Sequence, residues 1–433
     1  MRHLRSSLPA FCFLGALYGC CGEVPDTPPD GGGGSGGAGS TTTSGSGGAG
    51  GGIPADCTTV LSPSADDTAA IQTAFMTAMS NDVICLSPGT YTMRAEVSLN
   101  KTGVTVKGIG ATRDDVVLDF VSQMVDDDSM SVTSDGFTIE NLSIRNSPNN
   151  GIIVTGAEDV VFRNLSVTWD AGSVSTNGAY AIYPVGCTKV LVEDCEVVGA
   201  ADAGIYVGQS EQIIVRNNEV YGNVAGIEIE NSDLAEVYNN RSYDNTAGIL
   251  VFVLPEKEKK DGVTTNVHDN EVFANNRENF AASGIVGSVP PGIGILIFAA
   301  DETEVHDNNI YDNGSSGVVV VSYPTFMLLD AEFMPDDPLT DGYAESTYIY
   351  DNTFTNNGND PAQILLAVGV NPLPPVLFDG CEKMPDSAQL CLGMTPPSSF
   401  LDANCQVGMP AAYSTDPAPF LCDHPAQPPI SLE

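Results

Sequence analysis

Apolar and polar residues alternate along most of this chain in short bursts, each a few residues long and bounded by Gly, Asn or Asp. Side chains on an extended strand point to opposite faces in turn, so each burst predicts a short β-strand. The bursts share a frame. "IENLSI", "FRNLSV", "VEDCEV", "VRNNEV", "VYNNRS", "VHDNEV", "VHDNNI" and "IYDNTF" fit one template, and most are followed by an apolar strand such as "GIYV" from Gly204, "GIEI" from Gly226 or "GILV" from Gly248. Where no insertion intervenes, the step between equivalent residues is 23 residues from Ala181 to Gly204 and 22 from Gly204 to Gly226. A period near 22 with several short strands per repeat is one coil of a solenoid. Leucine-rich repeats share that length but require a leucine spine and a helical return, and neither occurs. The coils are therefore all-β, stacked in parallel at ~4.8 Å.

Stacking turns the template into columns. One runs Leu142, Leu165, Cys195, Asn218, Asn240, Asn270, Asn308, Asn352. Amides repeated at one corner can bond each other and the turn backbone, whereas a single buried amide is costly. An outward column two positions earlier runs Glu140, Arg163, Glu193, Arg216, Tyr238, His268, His306, Tyr350, and its opening members alternate in sign as cross-strand ion pairs do. His268 and His306 read as stacked surface imidazoles, so no metal is assigned to them.

A solenoid needs capped ends. In "DDTAAIQTAFMTAMSND", Ile71, Ala74, Phe75, Ala78 and Met79 recur at helical spacing behind Asp66 and Asp67, which predicts one amphipathic capping helix. Long insertions follow the strands led by Gly248 and Gly317, and loops of that length tend to stand over a functional face. The organisation expected is 1–20 export signal, 21–54 tether, 55–370 solenoid and 371–433 a Cys- and Pro-rich tail packed on it.

The N-terminus supports that division. Arg2 and Arg5 precede an apolar run, and "LYGC" ending at Cys20 resembles a lipobox, with Tyr18 where a small residue is usual. Lipidation of Cys20, an anchor in the membrane and an envelope or extracellular location are the expectation. The Gly-, Ser- and Thr-rich stretch that follows has too little apolar content to offset its ordering entropy. Eight cysteines remain beyond it, an even number that in an exported chain favours disulfides. Cys187 with Cys195 is the expected local bridge, and Cys381, Cys391, Cys405 and Cys422 are expected to staple the tail among themselves. The formal charge of −40 excludes nucleic acid as a partner.

The same alternation frames the candidate chemistry. In "NVAGIEIENSD", Ile227 and Ile229 point inward while Glu228 and Glu230 point outward. Stacking places Tyr183, Tyr206, Glu228 and Leu250 in one outward column, with Val185, Gly208, Glu230 and Phe252 in the next. Exposed Tyr183, Tyr206 and Phe252 would offer ring faces to sugars, while Glu228, Glu230 and Asp202 form the candidate catalytic carboxylates. A lyase or epimerase would instead need a base, and the cations available are chiefly Arg216, Arg241, Lys189, His268 and His306. A polyacidic surface repels polyuronates unless calcium, held by Asp202, Glu228 and Glu230, reverses the sign.

"GTYTM", "TNGAYAIYPV", "AADAGIYVGQS", "NVAGIEIENSD" and "NTAGILVFVLP" together resemble the bacterial exported parallel β-helix repeat family, within the pectate-lyase-like superfamily and related to NosD-type carbohydrate-binding repeats. The resemblance runs from about Asp66 to Val368. It implies a right-handed parallel β-helix, exported, with another exported envelope protein as a possible partner. Polysaccharide binding on the Tyr/Glu face is the leading functional expectation. Cleavage or epimerisation, and a non-catalytic docking solenoid, are the alternatives.

Overall fold

The computed structural model describes residues 55–381, 383 and 390–432. The signal, Cys20 and the tether lie outside them. The chain forms a right-handed parallel β-solenoid of about 13 turns with very little helix. A typical coil contributes three strands, as in Glu211–Arg216, Glu219–Tyr221 and Ala225–Glu230. The first two join a 20-stranded sheet and the third an 11-stranded sheet. Every strand pairing along the stack is parallel and in register, for example Tyr206 beside Glu228 and Glu228 beside Leu250.

The repeat template has a backbone cause. Asn141, Asn164, Asp194, Asn217, Asn239, Asp269, Asp307 and Asp351 occupy one corner column, all with φ between 49° and 57°. Asn and Asp tolerate this left-handed region better than other residues with a side chain. The next residue is the buried column. Asn218, Asn240, Asn270 and Asn308 each donate an amide hydrogen to the next coil's Oδ1, at 3.0, 3.1, 2.9 and 2.9 Å. Each amide also reaches a backbone carbonyl, so the ladder satisfies groups that would otherwise be stranded in the core. A second ladder, not anticipated from sequence, joins Asn223, Asn245, Asn275, Asn313 and Asn357.

Helix α1 (Asp67–Thr77) caps the first coils, with the Asp66 carboxylate accepting from the Ala69 amide. It buries Ile71, Ala74 and Phe75, as its periodicity requires, but ends before Met79, which is exposed. Beyond residue 370 the stack continues: Val376–Phe378 pairs with Ser316–Val321, and Leu401–Asp402 pairs with Val376–Phe378.

Disulfides join Cys57 to Cys85, Cys381 to Cys405 and Cys391 to Cys422, so the last four cysteines do staple the tail. These bonds indicate an exported protein. Cys187 and Cys195 are free and buried, contrary to the expected bridge. The extended strand Thr188–Glu193 separates them by roughly 20 Å, far beyond disulfide reach. No helix among the described residues is long and apolar enough to cross a membrane.

Candidate functional site

On the 11-stranded sheet the outward positions form two continuous columns. One runs Ser98, Ser131, Ile153, Tyr183, Tyr206, Glu228, Leu250, Leu296, Val319, Leu377. The other runs Thr155, Val185, Gly208, Glu230, Phe252, Phe298, Val321. The predicted stacking of Tyr183, Tyr206 and Glu228, and of Gly208, Glu230 and Phe252, is therefore present. The predicted exposure is not: Glu228 and Glu230 are each 3% accessible, and Tyr206 and Phe252 each 2%.

Three excursions of the chain, residues 253–262, 274–292 and 322–346, supply the cover over this face. Tyr323, on α2 (Tyr323–Leu329), bonds through its hydroxyl to the Val253 carbonyl at 3.0 Å. The Phe298 ring, itself beside Phe252 at 5.5 Å, packs against Tyr323, Phe326 and Phe333 at 5.2, 4.8 and 5.8 Å. Polar ties join the excursions: Lys260 pairs with Asp337 at 2.8 Å, and the Ser288 hydroxyl donates to Asp330 at 2.6 Å. Phe252 thus anchors a cover and has no free ring face. Alternation told which way it points, but not what it meets there.

The cover leaves a pocket of about 540 Å³ directly over the carboxylates, with Tyr180, Asp202, Glu228, Glu230, Lys257 and Phe333 in its lining. Glu228 and Glu230 enter it from strand Ala225–Glu230, and Asp202 from the residue before strand Ala203–Gly208. Both the Tyr206 hydroxyl and the Lys257 ammonium meet Oε1 of Glu230, at 2.7 and 2.8 Å. Gly208 permits this arrangement, because a Cβ there would lie 2.3 Å from the Tyr206 hydroxyl oxygen. Tyr183 is half-buried beside Tyr180 and Tyr206, with ring centroids 4.6 and 4.9 Å away.

Glu228 differs from Glu230 in having no cation of its own. Its Oε2 is buried without a hydrogen-bond partner. Burial first, and then the charges of Asp202 and Glu230, hold its proton well above the usual carboxylate range. Burial likewise pushes Asp202 up to about 7, against a hydrogen bond from Tyr180 that favours its ionised form. Burial also raises the hydroxyls of Tyr180, Tyr183 and Tyr206. The pocket therefore retains neutral carboxylic acid near neutral pH. Sequence reasoning missed Tyr180 and Lys257. Lys257 belongs to the insertion after Phe252, and the signal available was that this insertion leaves the strand stacked on Glu228 and Glu230.

The cations considered for lyase chemistry are engaged elsewhere, on the 20-stranded sheet. Arg216 binds Glu193 and Tyr238, Arg241 binds Glu219 and Glu271, and Lys189 binds Glu158. His268 and His306 stack at 5.0 Å with nearly parallel rings, the spacing of neighbouring coils, and each Nδ1 meets the following aspartate at 2.8 Å. Asp202, Glu228 and Glu230 do not bring their ligand atoms within 4.8 Å of one another. Among the described residues, the acids whose ligand atoms gather within 4.8 Å are Asp301, Asp341 and Glu345, and there Lys383 already pairs with Asp341.

A family model described as a right handed beta helix region matches residues 130–371. The fold is similar to the A-module of the Azotobacter vinelandii mannuronan C-5 epimerase AlgE6, with a TM-score of 0.52 and 16% identity over 72% of this chain and 76% of that one. An alginate lyase from Paenibacillus sp. aligns with a TM-score of 0.43 and 16% identity, over 71% of this chain and 100% of that one. The catalytic unit of an alpha-1,3-glucanase from Streptomyces thermodiastaticus aligns with a TM-score of 0.41 and 14% identity, over 76% and 52% of the two chains. At 16% identity the likeness to the A-module is one of fold alone. No curated protein matches the chain.

Proposed function

Because the chain belongs to the right-handed β-helix family, a fold whose structural neighbours include proteins acting on polysaccharides, we propose that its pocket binds a neutral polysaccharide and hydrolyses it. The carrying observation is Glu228: a buried carboxyl with an unpartnered oxygen, held neutral beside Asp202 in the same pocket. Hydrolysis by inversion needs one carboxylic acid and one carboxylate. Glu228 gives its proton to the glycosidic oxygen as the bond to the anomeric carbon breaks. Asp202, near its midpoint at neutral pH, takes a proton from the water whose oxygen bonds to that carbon. Glu230, tied to Tyr206 and Lys257, positions a sugar hydroxyl, and Tyr183 beside Tyr180 offers the remaining accessible ring surface.

The charge in the pocket selects the substrate. Even with Glu228 neutral, Asp202, Glu230, Glu256, Asp330 and Glu332 line the pocket with Lys257, the one cation among its described lining residues, so a polyuronate is disfavoured. Elimination or epimerisation α to a carboxylate is correspondingly less well supported. An export location agrees with the disulfides, and lipid attachment at Cys20 and docking to another envelope protein remain part of the proposal.

The test incubates the chain from Ile53 onward with neutral and uronic polysaccharides, with and without calcium. Retention, reducing ends and the ultraviolet absorbance of unsaturated products are scored together. Reducing ends from a neutral glycan, lost in Asp202→Asn, are expected. Calcium-dependent unsaturated product from a uronate would replace hydrolysis with elimination, and retention without product in the wild type would reduce the site to a binding platform.

A further inference from the structure

The two outward columns change character at the carboxylates. Before them, Ser98 and Thr155 are exposed and Ser131, Ile153, Tyr183 and Val185 are half-exposed. From Tyr206 onward, Leu250, Leu296, Val319 and Leu377 in one column, and Phe252 and Phe298 in the other, are all buried. The columns share one register throughout, so the change is not a break in the sheet. It is the edge of the cover built on Tyr323, Phe326 and Phe333. The carboxylates lie where a track along the solenoid axis passes under the cover and stops, with the pocket above them. A linear polymer aligned with that track has about 14 Å of open sheet from Ser98 to Tyr183, three coil steps, on one side of Glu228. On the other side it meets packed aromatic side chains.

We propose that this pocket takes the end of a polysaccharide chain and not its interior, and that the insertion containing Tyr323–Leu329 is what confers that choice. The inference rests on the glycan reading above and adds polarity to it: the terminal sugar lies against Phe333 and Lys257, and the rest of the chain leaves past Tyr180 and Tyr183 toward Ile153. Glu228, with a buried and unpartnered Oε2, is one of the residues that line the pocket. An interior-binding groove would require outward residues accessible on both sides of the acids, and Leu250 and Leu296 are not.

A binding assay separates the modes without requiring turnover. The Glu228→Gln chain is titrated onto linear β-1,3-glucan, α-1,4-glucan and β-1,4-mannan, each fractionated by length. If ends are recognised, the protein bound per gram doubles each time the mean length halves. Capacity per gram independent of length overturns the end-binding inference while leaving the glycan reading intact. Retention on none of these glucans or mannans, nor on the wider panel, overturns the glycan reading and this inference with it. In the wild type, cleavage should release reducing ends long before viscosity falls, and an early fall in viscosity counts against the inference. Ile153→Arg, on the open side at a half-exposed position, should weaken retention of long chains severalfold. Met327→Glu, on the exposed outside of the cover, should not. The reverse pattern would place the chain over the cover and defeat the proposal.

Discussion

Glu193 and Glu228 are both buried glutamates on outward strand positions, one on each sheet, and they are held in opposite ways. Glu193 lies between Arg163 and Arg216, at 2.6 Å from Arg163 Nε and 2.6 Å from Arg216 Nη2. Burial opposes its charge, but the hydrogen bonds and charges of the two guanidiniums prevail and bring it below the ordinary carboxylate range. Glu228 is buried more deeply, with Asp202 and Glu230 for neighbours, and keeps its proton. Both acids are buried and burial raises both, so the opposite outcomes come from their partners as well as from depth. The distinction is whether the stack supplies a matched cation or leaves an oxygen unpartnered in front of a cavity.

Four experiments press on that contrast. The largest effect expected is on turnover: Glu228→Gln should reduce glycan hydrolysis by about 10²–10⁴, the usual contribution of a general acid, with the melting temperature unchanged or higher. Glu193→Gln should do the opposite, keeping full turnover while destabilising the chain by about 1–3 kcal/mol in urea titration, since two guanidiniums lose a charged acceptor. If both variants lost activity equally, the two acids would not be different in kind.

Opposite pH dependence should accompany them. Asp202 rises from 3.8 to about 7, so the folded protein keeps a proton that the unfolded chain has released. Its contribution to stability is complete below about pH 4 and is lost as pH rises toward 7. Glu193 is lowered, so its contribution is present above the ordinary glutamate value and is lost as pH falls through its folded value. Asp202→Asn should flatten the decline on the neutral side and Glu193→Gln the decline on the acid side, measured as unfolding free energy against pH relative to wild type. The smallest effect expected is that of Lys257→Met. Its ammonium favours the ionised forms of Asp202 and Glu228, so removal should move the alkaline limb of the activity profile upward. A downward movement would mean that Lys257 does not act on these acids through its charge.

The sequence by itself determined the solenoid, because its information is local and repeated. A period of 22–23 residues, an Asn or Asp able to adopt positive φ at the corner and a buried amide one residue later each specify the same coil, and their repetition aligns the columns. The order Tyr183, Tyr206, Glu228, Leu250 follows from that register, so the candidate acids were legible in the sequence alone. Even here a local rule misled where distance mattered: Cys187 and Cys195 are near in sequence, and an extended strand holds them apart.

Only the tertiary structure decided what the outward face meets. Phe252 follows the same alternation as the half-exposed Ile153, yet it is buried beside Phe298, because a segment more than 70 residues away in sequence supplies Tyr323, Phe326 and Phe333 to the cover over the sheet, while Tyr206 is buried against Tyr180 and Tyr183. The same cover confines Glu228 without a partner, brings Lys257 to Glu230 and closes the track on one side. Alternation sets direction, which is a property of neighbouring residues in the chain. Solvation, proton affinity and access are set by everything within several ångströms in space, and in this protein most of that comes from insertions lying outside the repeat.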